Sequence, residues 1–373
     1  MEGVGESAVE LLEELVRIDS VNPGLVPGAA GESQIVAYLQ QRLSSAGFAT
    51  EVVIPPHAHD RPSLLAYAPG PDDWPAVVLN GHVDTVGVEG MAAPFDPRIE
   101  GNKLFGRGAA DMKGGVAGIV AAAEAVVASG ARVRPVLALV ADEEDASIGS
   151  AAAIDALHTH GLLPEVCLIA EPTDIEICRS LRGFGVVRVT FPGKAAHSSQ
   201  PENGVNAVTH MGRLLHAVDE QAPRIRALGG DFMATSVSGG LSTFVIPDSA
   251  QCVVEMRTAP NQPGSQALVE VNNLLDDSWK ATAELELSRD GWQLEASGKA
   301  ADFARDLGAQ LETGPTFAAP YWMEAPMWQE LCPTLICGPS GGGLHAIDEW
   351  VDLAQVRSFA AGLARTLSSW SDS

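Results

Sequence analysis

The stretch VLALVADEEDASIG (residues 136–149) decides how this chain is to be read. Val136–Ala141 is apolar throughout and has the length of a strand buried on both faces, as in a parallel sheet. It stops at Asp142, Glu143 and Glu144, three carboxylates side by side. Adjacent carboxylates repel, at a cost that cations can offset. A solvated acidic turn would also tolerate them. Outward from this stretch the same design recurs. Ala76–Leu79 is a second short apolar run and leads to His82 and Asp84 in VVLNGHVDTV (77–86). Val166–Ile169 is a third and leads to Glu171 in AEPTD (170–174), where Pro172 ends the ladder. Ser63–Tyr67 is a further run of strand length. Residues 7–17, 32–46 and the Gly- and Ala-rich stretch Met112–Ser129 carry helical patterns. Strands alternating with helices predict an α/β domain: a mainly parallel sheet with helices on both faces. Functional groups gather beyond the carboxyl ends of such strands, and all three segments bearing acids or His fall there.

The texture changes near residue 180. GVVRVTF (185–191) alternates like a half-exposed strand, and Gly204–Ala217 follows as an amphipathic helix. Ala250–Arg257 and Ala283–Ser288 alternate in the same way, with a helix around Ser265–Leu275 between them. This block predicts a smaller inserted α+β domain with an open sheet, over residues 181–291. Residues 1–180 and 292–373 then form the larger domain, which resumes with the apolar strand Thr334–Cys337 and a last helix, Leu353–Leu367.

Composition narrows the partners. With 23 Lys and Arg against 48 Asp and Glu, the formal net charge is -25. Such a chain is repelled by phosphate backbones and anionic membranes, so neither nucleic acid nor a membrane is expected as partner. The apolar run Val116–Ala123 is broken by Glu124 and is too short to span a bilayer. The odd set of five cysteines lacks any C-x-x-C pair, which suits thiols in a reducing compartment. The N-terminus is acidic and helix-patterned, without the basic and apolar regions of a signal peptide. A cytoplasmic location is expected.

Two more segments complete a candidate site. GRGAADMKGG (106–115) places Asp111 in a glycine-rich turn before a helix, and GPSGGGLHAIDEWV (338–351) brings His345 on a flexible glycine run. Singly, Asp111 could be a helix cap and His345 an ordinary loop histidine. Together with the strand-end residues they make a set of two imidazoles and several carboxylates. Such N/O ligation favours Zn²⁺, with Co²⁺ or Mn²⁺ as alternatives, over metals that want thiolates. Two ions require a bridging carboxylate, for which Asp111 is the candidate. Ions of this kind acidify a bound water, and a carboxylate outside the ligand set must take up its proton. Glu143, beside Glu144, stands in the place for that base. Asp84, two residues from His82, can orient its imidazole.

In this order the motifs G-H-x-D-x-V, G-R-G-x-x-D-M-K-G-G, D-E-E, A-E-P-T and H-x-x-D-E-W-V resemble the dinuclear zinc deacylase and exopeptidase family. Its members include acetylornithine deacetylase, succinyl-diaminopimelate desuccinylase, aminoacylase and glutamate carboxypeptidase, and the likeness covers essentially the whole chain. The resemblance implies Asp111 as bridge, His82 and Glu171 on one ion, Glu144 and His345 on the other, and Glu143 as base. It also implies a homodimer whose inserted domain serves as lid and dimerisation domain. GKAAHSSQPENGVNAV (193–208) is similar to a family segment whose histidine, here His197, stabilises the oxyanion at the neighbouring subunit's site. Arg257 matches an arginine that holds the substrate carboxylate, a task suited to a guanidinium fork; pairing with nearby Glu255 is its competing use. Phe244, in FVIP, stands where many members have an Asn that touches substrate, and points to an apolar or aromatic substrate portion. The expected reaction is hydrolysis of an amide bond in an N-acyl amino acid, in the manner of acetylornithine deacetylase. A dipeptidase or glutamate-type carboxypeptidase is the alternative, and a catalytically silent binding protein on the same fold the third reading.

Overall fold

The computed structural model describes residues 3–370 of the chain. They divide into two compact units. One comprises residues 3–179, 294–317 and 323–370; the other comprises Ser180–Gln293 and Ala318–Trp322.

The first unit is built on a six-stranded sheet in the order Ala49–Val53, Ser63–Tyr67, Arg134–Val140, Ala76–His82, Val166–Ile169, Thr334–Ile336. The last four strands run parallel, and the first two add an antiparallel edge. The apolar runs are buried on both faces, as parallel strands must be when helices cover both sides. Val77, Leu79, Leu137 and Leu139 face a core shared with the helices Val4–Val16, Gly114–Ser129 and Leu353–Trp370. Val78, Val136 and Ala138 are equally buried on the opposite side, where the helix Ile148–Thr159 packs on the strand Arg134–Val140.

Register places the site. His82 is the last residue of its strand and lies level with Val140, while Asn80 lies level with Ile169. The residues that follow Val140 and Ile169 therefore emerge beside His82, at the carboxyl edge of the sheet. The helix Gly114–Ser129 is buried almost all round. The segment Ala109–Ser129 has the length and apolarity of a membrane span, but 72% of its most apolar window lies inside the protein. It is a core helix. A β-carbon at Gly115 would stand 2.0 Å from the Ala170 carbonyl oxygen, so only glycine lets this helix approach the segment that carries Glu171.

The second unit is a four-stranded antiparallel sheet in the order Asp231–Gly239, Ser249–Thr258, Gly183–Pro192, Thr282–Arg289. Burial alternates along Gly183–Pro192 and Ser249–Thr258. The buried side, with Val187, Val189, Phe191, Cys252, Val254 and Met256, packs under the helices Ala207–Ala227 and Gln266–Leu274. The first of these helices starts and ends later than the expected Gly204–Ala217. Asn206 caps it by accepting from Thr209 N at 3.1 Å, and Val218, Ala222 and Ile225 carry the apolar stripe on through Pro223. The strand Asp231–Gly239 was not among the expected elements. From Met233 onward it is exposed on both faces, so no alternation marks it.

Candidate metal centre

Five short segments of the first unit converge on one cluster. His82 ends its strand, Glu143 and Glu144 lie in the turn after Val140, and Glu171 follows Ile169 by two residues. Asp111 lies in the tight turn Ala109–Lys113 with extended backbone (φ -120°, ψ 96°), and its peptide bond to Met112 is cis. His345 sits in the loop after the glycine run at φ 60°.

Asp111 is the hub. Its Oδ1 lies 3.1 Å from His82 Nε2 and its Oδ2 lies 3.3 Å from His345 Nε2. His345 Nε2 is also 3.2 Å from Glu144 Oε2, and His82 Nε2 is 3.9 Å from Glu171 Oε1. One ligand atom each from His82, Asp111 and Glu144 falls within 4.8 Å of the others, as does one each from His82, Glu143 and Glu171. Donor atoms around a tetrahedral ion with bonds of roughly 2.0–2.1 Å stand about 3.3–3.4 Å apart. The spacings around Asp111 match such edges, and Glu144 Oε1 is buried with no hydrogen-bond partner. These residues form a His/Asp/Glu group whose spacing fits a divalent metal ion.

A second layer holds this cluster. Asp84 is fully buried and accepts from Asn22 Nδ2 at 2.8 Å and from the main-chain N–H groups of Glu143 and Glu144 at 3.1 and 3.3 Å. His82 Nδ1 lies 3.1 Å from the Asp84 carbonyl oxygen and 3.5 Å from its Oδ1. Acceptors on that side can hold a proton on Nδ1, and Nε2 is the nitrogen turned toward Asp111. The glycine-rich turn is tied by Glu349, whose carboxylate accepts from the N–H groups of Gly108, Ala110 and Asp111 and pairs with Arg107 at 2.6 Å.

The electrostatics are those of acids crowded away from water. Burial raises Glu143 and Glu171 well above the ordinary carboxylate range, and neighbouring carboxylates add to it. Against its own burial, Asp111 is held low by His345 and His82. His345 is pushed up to about 10, first by Asp111 and then by Glu144. Positive charge in the cluster is the common remedy.

Sequence reasoning missed several neighbours. Glu324 is 1% exposed, receives the Ser150 hydroxyl at 2.6 Å and is pushed by burial up to about 7. A lone acid in the apolar string MEAPMW was its only signal. Arg61, Glu32 and Asn22 are buried as well, and nothing in their local sequence marks them.

The remaining predicted residues lie in the second unit. His197 pairs with Val245 in an isolated bridge, and Ser198 N donates to the Phe244 carbonyl at 3.0 Å, so His197 and Phe244 are brought together. Both are exposed, Phe244 at 67%. Ser199 N donates to His197 Nδ1 at 3.2 Å, which leaves Nε2 to carry the proton of the neutral ring. Arg257 Nε donates to Glu255 Oε1 at 2.7 Å, and the guanidinium lies 5.0 Å from the centre of the Phe184 ring. The competing partner named from the sequence thus holds one edge of it.

Histidines and acids converge at the carboxyl edge of a mainly parallel sheet in a group that could hold a metal ion. The profile of peptidase family M20/M25/M40 matches residues 78–369, and the chain belongs to that family. It is 29% identical to an acetylornithine deacetylase of Pasteurella multocida over 85% of this chain and 86% of the other. A tripeptidase from Staphylococcus aureus shares the fold with a TM-score of 0.82 at 16% identity, covering 99% of each chain. A dinuclear metal binding peptidase of the M20 family from Bacillus subtilis shares it with a TM-score of 0.74 at 15% identity, covering 100% of this chain and 99% of the other. The protein is an enzyme, a metallohydrolase of amide or peptide bonds in small substrates.

Proposed function

We propose that the enzyme hydrolyses the amide bond of an N-acyl amino acid with two zinc ions held by His82, Asp111, Glu144, Glu171 and His345. The orientation of Asp111 carries the reading. Its two oxygens face two different imidazoles, as a carboxylate shared between ions would. His82 and Glu171 complete one set, Glu144 and His345 the other. Imidazole and carboxylate donors without thiolate suit Zn²⁺, with Co²⁺ or Mn²⁺ as alternatives. When bound, such ions polarise the scissile carbonyl and acidify a water.

The chain's own residues do the rest. Glu143 takes the water's proton and delivers it to the leaving nitrogen. Asp84 holds the tautomer and orientation of His82. His197 offers an Nε2 proton to an oxyanion, and we assign it to the partner's site in a homodimer. The exposed edge strand Asp231–Gly239 supports pairing with a second copy, because unpaired strand edges are templates for such contact. Arg257 receives the substrate carboxylate, and Phe244 the acyl or side-chain portion. The acetylornithine deacetylase relative supports a deacylase, and buried cysteines outside any disulfide suit the cytoplasm.

Two measurements test this. Protein purified without chelator should carry two ions per chain, lose activity to a chelator and regain it with Zn²⁺, Co²⁺ or Mn²⁺. Fewer than one ion per chain with no recovery overturns the metal reading. A panel of N-acetyl-L-ornithine, other N-acyl amino acids, N-succinyl-diaminopimelate and dipeptides should favour the acyl-amino acids. Ready turnover of dipeptides alone makes the enzyme a peptidase.

A further inference from the structure

The turn that presents Glu143 and Glu144 starts at Asp142, whose backbone is left-handed at φ 69°. A residue with a β-carbon stays there only when its surroundings hold it. The Asp142 carbonyl accepts from Ser147 N at 2.6 Å and Ala146 N at 3.2 Å. Its Oδ1 accepts from Asn22 Nδ2 at 3.0 Å and lies 2.8 Å from an Arg61 terminal nitrogen. Arg61 is in turn gripped by Glu32, through Nε to Oε2 at 2.9 Å and through its terminal nitrogen to Oε1 at 2.6 Å. The same Asn22 amide donates to Asp84. Arg61 is 6% exposed and the other members of this chain of contacts 1% or less.

From this geometry we propose that Arg61 is a positioning residue for the hydrolysis. Three consecutive acids point different ways: Asp142 is turned inward onto Arg61 and Asn22, which leaves Glu143 and Glu144 to serve the cluster. Arg61 pairs with Asp142 and holds it where Asn22 can bridge it to Asp84, the carboxylate that also receives the Glu143 and Glu144 N–H groups. Arginine grips Glu32 through two nitrogens while one of them also reaches Asp142; a lysine would keep the charge but not this fork. The inference rests on Glu143 being the base.

The test compares Arg61→Met, Arg61→Lys, Asp142→Asn and Glu143→Gln in the metal-loaded enzyme. The substrate is N-acetyl-L-ornithine, or whichever member of the panel turns over fastest. Arg61→Met should lower kcat on the order of tenfold to a hundredfold with KM little changed. Arg61→Lys should recover part of that loss. A merely structural arginine would lower the melting temperature and leave kcat of the folded, metal-loaded enzyme unchanged, and that result overturns the proposal. If Arg61→Met does not fold, Asp142→Asn decides: it removes the charge that Arg61 holds at nearly constant shape, and wild-type kcat there overturns the proposal too. Wild-type turnover in Glu143→Gln would instead sink the reading of the base. The two failures are therefore distinguishable.

Discussion

In the first unit His82 and Glu171 are 1% and 4% exposed and hang from the ends of strands buried on both faces. In the second, Phe244 is 67% exposed and Leu241 fully so, on the loop that pairs with His197. The contrast is energetic. Acids crowded out of water at the strand ends are destabilising until positive charge joins them, so this edge of the first unit is suited to a cation. Rigid elements suit this, because ligands and base must be placed to within a fraction of an ångström. Exposed apolar groups beside a histidine instead have binding energy still to gain, by burial against substrate or another surface. Variants of the first unit should therefore strike chemistry and metal together or the base alone, and variants of the second should strike turnover without touching the metal.

The sharpest way to break that division is Glu143→Gln. The amide keeps the shape and cannot take up a proton, so turnover should fall by at least about a hundredfold. Metal content should stay at the wild-type value, because the proposed set of five ligands leaves Glu143 out. Kinetics with metal analysis on the same sample reads both. Loss of metal with activity would make Glu143 a ligand and return the role of base to another acid, with buried Glu324 the first to try.

His197→Ala probes the other side. Losing one donor to a developing oxyanion costs roughly a hundredfold or more in kcat, and metal content should again be unchanged. Mixing this variant with Glu143→Gln should restore part of the activity if each site takes its histidine from the other protomer. A mixture that stays as inactive as its parts would confine His197 to its own chain or to no role.

These expectations also show which features were legible before the structure. The parallel sheet was, because strands buried on both faces read as unbroken apolar runs, and the acids that stop them mark the carboxyl edge. Grouping His82, Asp111, Glu143, Glu144, Glu171 and His345 needed only their placement at strand ends and in glycine-rich turns; the proposed division of ligands between two ions rests on the family resemblance. Arg61, Asn22 and Glu32 were invisible for a physical reason: each acts through partners far along the chain, Asn22 on Asp142 and Arg61 on Glu32 and Asp142. The edge strand Asp231–Gly239 was invisible for another. Exposure on both faces erases the period of two that betrays a strand.

Smaller effects sharpen the contrast in packing. A β-carbon at Gly115 meets the Ala170 carbonyl oxygen at 2.0 Å, and main chain on both sides leaves nothing flexible to yield. Gly115→Ala should destabilise the enzyme by about 1–3 kcal/mol, the usual range for overpacking a close-packed core. Because Ala170 precedes Glu171, affinity for metal should fall as well. A stable Gly115→Ala enzyme with normal metal content would mean that this contact relaxes easily and that the strand ends are less rigid than argued.

The smallest effect has the opposite sign. Gly212 lies within the helix Ala207–Ala227 of the second unit, is exposed, and has no atom within 4 Å of the place its β-carbon would occupy. Its backbone is ordinary right-handed helix, which alanine adopts at lower entropic cost. Gly212→Ala should therefore stabilise this unit by about 0.5–1 kcal/mol, with kcat and metal content unchanged. Denaturant unfolding of the two alanine variants against the parent would read both signs in one experiment. The same substitution is harmful where the chain is packed against a ligand-bearing segment and helpful where it faces solvent. A destabilised Gly212→Ala would mean that this helix face is covered, and a second copy of the chain is what the homodimer reading would put there.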